Sequence, residues 1–536
     1  MADIRDAHMG PWRMAFFEAN MHQNGHDADA AIYGLVAFDG RNVFLSVPSE
    51  LSQLGHHVAN ADYRSLLTDF PFARIDRSTG LLLAVARLFL KTGRSKNLET
   101  CGFDALRTWI ATVLRKEGGR GDNGDDVRLK IASILNSLAI EISYDQLPPS
   151  CSIRHQIAYN LPKTLKKTVI RPLRVSIAAR IDIAGGWTDT PPITYALPES
   201  MVLNAAVKVD GRKPISCELF PLQEIRGFRV SLGDDGPVLE YTMATEIVLA
   251  AQRASEPGSL ICAVLAVSGV VPGLLDGRKR VDFDSECRGL WIRCYSDLPH
   301  GSGLGTSSIL SAAVLAGLWT MFGREFTNDD VVQAVLKVEQ FHTTGGGWQD
   351  QVGGLYPGIK ISVLSPKTNS IYVKQLNITD TFIDSINTRL ALIFTGKTRL
   401  AKDLLQRVLL SYFRKHDKLI ATFDDLITTT KSATEIFENG EFPVTEVTQY
   451  HESKKILATG AEPANVAELI ADLKENNQIE AAWIAGAGGG GFLYVWMTEG
   501  ITAKELRHYL AKDANYSGMS VHEIEVDMDP LIVEVL

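Results

Sequence analysis

The pattern of apolar and polar residues changes near residue 168. After that point the chain contains short apolar runs typical of β-strands, at 174–183, 201–209, 289–295, 389–395, 483–485, 492–496 and 522–526. Residues 307–322 are small or apolar on nearly all sides, which predicts a buried helix, and 331–341 predicts a second helix. Because strands and helices are mixed without a regular βαβ repeat, the pattern predicts an α+β fold.

Residues 1–168 have a different texture. Helical patterns at 80–91 and 103–116 precede a polar, glycine-rich loop at 116–126, so we expect a mainly helical N-terminal region. The run KTLKKTVIRPLR at 163–174 carries five basic residues and reads as a connector. It marks the predicted domain boundary, and the sequence gives no role for the region before it.

Composition narrows the class of protein. A chain of 536 residues is too long for one core, so two or three domains are expected. A net charge of −9 argues against a nucleic-acid partner. Six cysteines without a CxxC pair indicate reduced thiols, and the longest apolar stretch, at 260–271, is too short to span a membrane. Since the start lacks a signal-peptide pattern, we expect a cytoplasmic protein without a membrane partner. A homo-oligomer is possible.

The stretch LPHGSGLGTSS at 298–308 is the first candidate for chemistry. Glycines let the backbone approach a ligand closely, and the helix that follows presents free N–H groups and the positive end of its dipole. Thr306 or Ser307 could offer a hydroxyl to a magnesium ion bound to phosphates. The alternative is a flexible turn before a buried helix.

Other phosphate-binding motifs do not fit this chain. The GKT at 396–398 has Ala391 where a Walker A loop needs its first glycine, and no HRD or DFG pair marks a protein kinase. Two GxGxxG matches, at 119–124 and 486–491, lack the strand-to-helix setting of a dinucleotide fold.

Two further glycine clusters accompany the first. The segment AARIDIAGGWTDTPP at 178–192 combines an arginine, a tryptophan and an aspartate around a turn, which suits a sugar, although it could also be a surface turn. The segment AGAGGGG at 485–491 lies between two strand-like runs. Four consecutive glycines are expected where another backbone or a phosphate comes close, or in a plain flexible loop.

The segment EQFHTTGGGWQDQ at 339–351 supplies two carboxylates, Glu339 and Asp350, separated by three glycines. Phosphoryl transfer needs oxygen ligands for magnesium and a group that accepts the proton of the attacking hydroxyl. Either carboxylate alone is more often solvated; together with the glycine clusters, they favour a phosphotransferase site.

In this order, the three glycine-rich segments resemble the motifs of the GHMP small-molecule kinases, which include galactokinase, homoserine kinase and mevalonate kinase. The resemblance covers about residues 170–536 and implies a GHMP kinase fold of two lobes, at 169–365 and 366–536, with ATP and Mg²⁺ as cofactors. GGWTDTPP and TGGGWQDQVGG look most like the L-fucose kinase (fucokinase) group, which implies transfer to the anomeric hydroxyl of L-fucose.

The resemblance implies a role for each matching position. Asp350 falls on the catalytic aspartate and Arg180 on the arginine of the first motif, while Ser307 and Glu339 fall on the magnesium ligands. The implied nucleotide-binding residues are Pro299, Gly301, Ser302, Gly303, Leu304, Gly305, Thr306, Ser307, Gly488 and Gly489. The implied sugar-binding residues are Asp189, Trp187, Gly346 and Gly347.

Some features depart from this pattern or leave alternatives. Thr306 replaces the first serine of the serine pair, and Trp483-Ile484 stand where many relatives have a lysine. A related kinase for a heptose phosphate would want extra basic residues, and Lys397, Arg399 and Lys402 could serve. A catalytically silent sugar or nucleotide sensor on the same fold is a further alternative. Residues 1–168 lack the signature of the nucleotidyltransferase domain that precedes the kinase in some fucokinases, and could be part of a longer parent.

Overall fold

The structure is a computed structural model. It describes residues 36–38 and 43–45 and, between 171 and 536, all positions except 191–192, 252–255, 272–287, 300, 342–345, 366–369, 397–403, 406–407 and 409–416. The helices predicted at 80–91 and 103–116, and the connector up to residue 170, lie outside the described residues. Within the predicted N-terminal region the structure describes strands β1 (Val36–Phe38) and β2 (Val43–Leu45), which pair antiparallel.

The described part from residue 171 onward is a mixture of strands and helices, which confirms the predicted α+β class. The strands are β3 (Leu173–Ile177), β4 (Ala179–Ala184), β5 (Ser200–Val209), β6 (Ile215–Leu222), β7 (Gly227–Leu232), β8 (Val238–Tyr241), β9 (Gly289–Ser296), β10 (Ile359–Ser365), β11 (Ser370–Gln375), β12 (Leu390–Phe394), β13 (Ile479–Ile484), β14 (Phe492–Met497), β15 (Ser520–Val526) and β16 (Leu531–Val535). The helices are α1 (Ile193–Ala196), α2 (Ala244–Ala251), α3 (Ser259–Ser268), α4 (Thr306–Met321), α5 (Asn328–Phe341), α6 (Gln349–Leu355), α7 (Asp380–Arg389), α8 (Asp417–Glu438), α9 (Val444–Leu457), α10 (Ala464–Glu475) and α11 (Ala503–Leu510).

These strands form two sheets. The six-stranded sheet has the order β16-β3-β6-β9-β7-β8, and all its pairs are antiparallel except β7 with β9. The second sheet has the order β11-β10-β5-β15-β12-β14-β13, with β4 also paired to β5. It takes strands from both sides of residue 365, so the boundary between the two predicted lobes crosses a continuous sheet and stays a prediction.

The prediction of a single strand at 174–183 is wrong, because this segment forms two strands, β3 and β4, which belong to different sheets. The chain leaves β3 at Ile177, and the backbone N–H of Ala178 donates to Pro530 rather than to a ladder partner. All six residues of β4 are buried, so the one-sided alternation expected from the sequence does not apply there. The chain thus passes from the six-stranded sheet, where β3 lies between β16 and β6, into the second sheet, where β4 carries Arg180. The connector predicted at 163–174 is also too long at its end, because β3 already begins at Leu173.

Helix α4 is the buried helix that the sequence predicts. Small residues let it approach the six-stranded sheet closely: a Cβ on Gly317 would lie 2.6 Å from Leu219 Cδ1 and 3.1 Å from Val175 Cγ2. Helices α3, α5 and α6 pack around it. Because its surroundings are fixed on all sides, the N-terminus of α4 is a rigid platform for the loop that precedes it.

The second sheet is covered on both faces. Helices α10 and α11 pack on one face, against residues such as Ile393, Ile484 and Val495. Helices α8 and α9 lie on the other face, where Trp483 and Tyr494 are buried. Alternate residues of β13 and β14 therefore serve different cores, as expected for strands with two buried faces.

Candidate active site

The glycine loop of 301–305 leads directly into α4. Gly301, Gly303 and Gly305 have φ of 73°, 79° and 78°, a left-handed conformation that favours glycine. Gly305 caps α4 without any side-chain hydrogen bond to the helix. Ser307, in the first turn, is exposed. The geometry is that of a helix N-terminus open to an anion.

Other residues of this loop that are predicted to bind nucleotide form hydrogen bonds within the loop itself. Ser302 Oγ lies 3.0 Å from Thr306 Oγ1 and accepts from the backbone N–H of Leu304 at 3.2 Å. The carbonyl of Pro299 accepts from the Ser302 N–H at 3.1 Å. These contacts fix the loop conformation; whether the same residues bind nucleotide stays a prediction.

The glycine loop at 485–491 packs against the first loop. Phe492 N donates to Ser302 O at 3.0 Å, and a Cβ on Gly303 would lie only 2.8 Å from Ala485 O. A Cβ on Gly486 would in turn lie 2.9 Å from Gly303 O. Of the two reasons that the sequence suggests for these glycines, the close approach of another backbone is therefore present. The loop is not a plain flexible connection.

Gly488 and Gly489, the two residues of this second loop that are predicted to bind nucleotide, lie against the backbone of Ala461. Gly489 N donates to Ala461 O at 2.6 Å, and a Cβ on Gly488 would lie 2.7 Å from the same oxygen. Their nucleotide contacts stay a prediction, and a structural reason for both glycines is present without a ligand.

Arg180 and Asp350 form the central ion pair. Arg180 Nε donates to Asp350 Oδ1 at 2.7 Å, and Nη2 lies 2.5 Å from the same oxygen. Arg180 Nη1 donates to Gly303 O at 2.8 Å and to Tyr494 Oη at 3.1 Å. The Arg180 side chain is 2% exposed and that of Asp350 is 28% exposed. The arginine thus joins the predicted base to the glycine loop from behind, and the carboxylate faces outward.

The local environment keeps Arg180 charged. Burial alone would lower the pKa of Arg180, but the attraction of Asp350, Tyr494 and Asp182 outweighs it and raises the pKa. Asp350 lies beside the first loop, since a Cβ on Gly305 would be 3.0 Å from Asp350 Cβ. A phosphate held at the loop would therefore lie next to both charged groups.

The two predicted magnesium ligands are Ser307 and Glu339. Glu339 is 4% exposed, and its Oε1 accepts from Ser308 Oγ at 2.7 Å. Ser308 is therefore the α4 hydroxyl that contacts Glu339, while Ser307, the preceding residue, is exposed; that Ser307 and Glu339 share one magnesium ion stays a prediction. Among the described residues no cluster of three or more His, Cys, Asp or Glu side chains could hold a metal. One carboxylate and one hydroxyl fit Mg²⁺, which usually completes its shell with water and substrate phosphates.

The predicted sugar-binding residues are more enclosed than expected. Asp189 is fully buried, and its two oxygens accept from Gln349 N at 3.0 Å and Gln349 Nε2 at 3.2 Å. Trp187 has φ of 81° and is 4% exposed within the core, so its ring face is not presented outward. The surface-turn alternative is therefore wrong for both residues. Direct contact with a sugar stays a prediction, and the sugar would have to reach a carboxylate that is buried and already bonded to Gln349.

Gly347 and Gly346 complete this part of the site. A Cβ on Gly347 would lie 2.0 Å from Asp189 Oδ2, and one on Gly346 would lie 3.2 Å from Glu339 Oε2. Both glycines let the chain pass close to a carboxylate. Burial, the largest effect, together with the nearby Asp350 and Asp182 carboxylates, raises the pKa of Asp189 to about 7.

Sequence reasoning missed a second buried charge pair. Lys454 Nζ lies 2.9 Å from Asp182 Oδ2, and both side chains are 0% exposed. A carboxylate inside the apolar run RIDIA was a usable signal, because unpaired aspartates are almost never fully buried. Its partner, 272 residues away, left no signal in the sequence. Trp483, to which the sequence assigns no role, donates from Nε1 to Asp182 O at 2.7 Å. The basic residues Lys397, Arg399 and Lys402 lie outside the described residues.

The sequence of this chain is similar to those of known kinases. Residues 274–358 match the family model described as the GHMP kinases N-terminal domain. The chain is 33% identical over 350 residues to the bifunctional fucokinase/GDP-fucose pyrophosphorylase of Arabidopsis thaliana, covering 65% of this chain and 32% of that protein. It is 30% identical over 347 residues to the L-fucokinase/L-fucose-1-P guanylyltransferase of Bacteroides fragilis, covering 62% of this chain and 35% of that protein. The chain thus spans about a third of the length of these curated relatives.

The fold has a counterpart among solved structures. A Campylobacter jejuni protein solved at 2.4 Å as a candidate sugar kinase superposes with a TM-score of 0.50 at 19% identity, covering 69% of this chain and all of that one. This likeness shows the fold alone. Within the described residues, no helix is both long enough and apolar enough to cross a membrane.

Proposed function

We propose that this chain is an ATP-dependent sugar kinase of the GHMP family, which transfers the γ-phosphoryl group to the anomeric hydroxyl of L-fucose. The products would be L-fucose 1-phosphate and ADP, and the reaction would feed the salvage of fucose toward GDP-fucose. The observation that carries the proposal is the Arg180–Asp350 pair, held against the glycine loop at the N-terminus of α4. The names of the two curated relatives support fucose as the acceptor.

In this proposal the triphosphate lies on the loop of 301–307. The backbone N–H groups of the first turn of α4 and the positive end of its dipole attract the phosphate oxygens. Ser307 and Glu339 would hold Mg²⁺, which neutralises charge on the phosphates when it is bound. The tight contact with the loop at 485–491 keeps the glycine loop in one conformation before ATP arrives.

Asp350 acts on the acceptor. Its carboxylate is partly exposed and next to the loop, so it can accept a hydrogen bond from the attacking hydroxyl, orient it and take its proton. Arg180 fixes the carboxylate through two contacts to one oxygen, which leaves the other oxygen for the substrate. Its positive charge also favours the charge that develops on the transferring group. Asp189 and Trp187, with Gly346 and Gly347, would border the sugar.

An acceptor screen tests this proposal directly. ADP release by the full chain would be measured with ATP and magnesium over free hexoses, deoxyhexoses and sugar phosphates. We expect turnover with L-fucose, loss of that turnover when EDTA removes magnesium, and a product phosphorylated at the anomeric carbon by NMR. Preference for a sugar phosphate would replace fucose with an acceptor like that of the heptose 7-phosphate kinase of Campylobacter jejuni, which is 28% identical over 125 residues.

The same screen distinguishes an active kinase from a catalytically silent sensor. Binding of ATP and sugar without ADP release from any acceptor would contradict the kinase proposal. Asp350 and Glu339 argue for an active enzyme, since a sensor needs neither a base nor a metal ligand. Deleting residues 1–168 and finding unchanged kinetic constants would show that this region makes no catalytic contribution.

A further inference from the structure

Helix α9 directs three buried side chains at the strands that lead into the site. Lys454 Nζ reaches Asp182 Oδ2 at 2.9 Å and the carbonyl oxygen of Ile484 at 2.8 Å. Asp182 lies on β4, two residues after Arg180, while Ile484 is the last residue of β13. One ammonium group therefore ties together two strands that carry different parts of the site.

Tyr450 strengthens the first of these ties. Its hydroxyl donates to Asp182 Oδ2 at 2.6 Å, and Lys454 Nζ lies 4.3 Å from the centre of its ring. Asp182 Oδ2 thus accepts two hydrogen bonds from one helix, one turn apart. Because β4 is held in this way, the Arg180 side chain leaves the strand at a defined place.

His451 strengthens the second tie. Its Nδ1 accepts from the Ile484 N–H at 3.3 Å, so the proton of the neutral ring is on Nε2, which donates to Glu462 Oε1 at 2.7 Å. Burial lowers the pKa of His451, which favours this neutral form. Both backbone groups of Ile484 are therefore bound by side chains of α9. The next residue, Ala485, opens the glycine loop that packs on Gly303.

The energetics of the pair point to positioning. Burial lowers the pKa of Lys454, and Asp182 offsets only part of that effect. A fully buried ion pair seldom adds net stability over well-packed apolar side chains, because desolvation cancels much of the attraction. Its value lies in fixed directions, since a charged hydrogen bond loses much more energy on displacement than an apolar contact does.

We infer that Tyr450, His451 and Lys454 are positioning residues: α9 sets β4, and with it the Arg180–Asp350 pair, and separately sets the glycine loop that supports the nucleotide. This inference rests on the proposed kinase function. It makes the two ties separable, because the hydroxyl of Tyr450 bonds Asp182 on β4, whereas Nδ1 of His451 bonds Ile484 on β13. Lys454 takes part in both ties.

Three substitutions in the full chain test the separation. Tyr450→Phe removes the bond to Asp182 alone, and we expect kcat to fall about tenfold, the equivalent of one charged hydrogen bond, with the KM for ATP unchanged. His451→Leu removes the bond to Ile484 together with the bond to Glu462, and we expect the KM for ATP and the Kd of a fluorescent ATP analogue to rise about tenfold. Lys454→Met should change both constants.

Lys431→Met is the matched control. Lys431 lies on the neighbouring helix α8 and forms a surface ion pair with Glu199, with its side chain 54% exposed. We expect this variant to leave kcat and KM within about twofold, as is usual for an exposed ion pair. If Lys454→Met does not fold, the other two variants still decide the question, because Tyr450→Phe removes the bond to Asp182 and His451→Leu removes the bonds to Ile484 and Glu462.

A purely structural role predicts a different pattern. In that case Tyr450→Phe and His451→Leu would lower the melting temperature while kcat and KM per folded protein stayed unchanged, or both would alter the same constant; either result overturns the inference. If the unmodified chain turns over no acceptor, the proposed function fails on its own. The fluorescent ATP analogue then still decides, because unchanged affinity in His451→Leu and Lys454→Met would overturn the positioning role.

Discussion

The Asp350 carboxylate is the residue on which the proposed chemistry depends. It is the more exposed partner of an ion pair whose other member, Arg180, is almost fully buried. Such a pair separates two tasks, since the arginine fixes geometry from within and the carboxylate meets the substrate from outside. Losing the charge of Asp350 should therefore affect turnover far more than nucleotide binding.

We expect Asp350→Asn to lower kcat by about a thousandfold, because a positioned general base contributes on the order of 10²–10⁴. The Kd of a fluorescent ATP analogue should change by less than about threefold, since the glycine loop and α4 are untouched. Asp425→Asn, on the exposed side of α8, is the control and should behave like the parent. Wild-type turnover in Asp350→Asn would remove Asp350 from the mechanism.

Asp189 predicts a pH dependence of stability. Its pKa is raised from the ordinary 3.8 to about 7, by burial first and then by the nearby Asp350 and Asp182, with Arg180 and the Gln349 N–H opposing. Below about pH 4 the carboxyl is protonated in both the folded and the unfolded chain. Between about pH 4 and 7 only the folded chain keeps the proton, so the free energy of unfolding should fall as pH rises through this window.

Asp189→Asn should remove this contribution. The difference between 3.8 and about 7 corresponds to about 4 kcal/mol at most. Urea unfolding between about pH 4.5 and 7.5 should show the parent losing a few kcal/mol of stability relative to Asp189→Asn. Any constant cost of the amide facing the Gln349 N–H shifts the whole curve without changing its slope. Parallel curves for the two proteins would contradict the raised pKa.

Distance along the chain decides which residues the sequence could reveal. Asp350, Arg180 and Ser307 lie inside short segments whose residue types point to phosphoryl transfer, so their roles can be proposed from those segments alone. Asp182 and Lys454 could not be paired, because nothing in one sequence relates a strand residue to a helix residue 272 positions away. The enclosure of Trp187 was equally hidden, since burial depends on elements that the local segment does not contain.

At the scale of elements, the two glycine loops act as one unit. A Cβ on Gly303 would meet Ala485 O, and a Cβ on Gly486 would meet Gly303 O, so both loops depend on the missing side chains. The sequence suggested a close approach at 485–491 but could not say to what. In the structure, the backbone of the first glycine loop approaches the loop at 485–491, which explains why two distant segments are both rich in glycine.

Gly303→Ala should therefore disrupt more than local backbone geometry. Its φ is 79°, and the added Cβ would lie 2.8 Å from Ala485 O. Gly440→Ala is a matched control, with φ of 82° and nothing within 4 Å of the added Cβ. The control should lose about 1 kcal/mol from positive φ alone, whereas Gly303→Ala should lose clearly more and weaken binding of a fluorescent ATP analogue at least tenfold. Equal losses of stability, with unchanged affinity, would show that the loops tolerate separation.

At the scale of the whole molecule, the end of the chain closes both sheets. Strand β15 lies between β5 and β12 in the middle of the second sheet, and β16 pairs with β3 at the edge of the first. The site motifs all precede residue 492, so the motifs alone give no reason to value the last residues. The topology does, because β15 joins strands from both sides of residue 365.

Removing residues 519–536 should therefore abolish folding although every candidate site residue is retained. Without β15, the facing edges of β5 and β12 would lose their hydrogen-bond partners and the buried side chains of Val521, Ile524 and Val526, a loss comparable to the whole stability of an ordinary domain, about 5–15 kcal/mol. Removing residues 531–536 takes away only the edge strand β16, whose outer positions are largely exposed, and should lower the melting temperature without loss of ATP binding. Soluble yield, melting temperature and ATP-analogue affinity would be compared for both truncations. A soluble, ATP-binding chain that ends at residue 518 would show that the second sheet closes without its central strand, and would contradict the dependence of the site on that sheet.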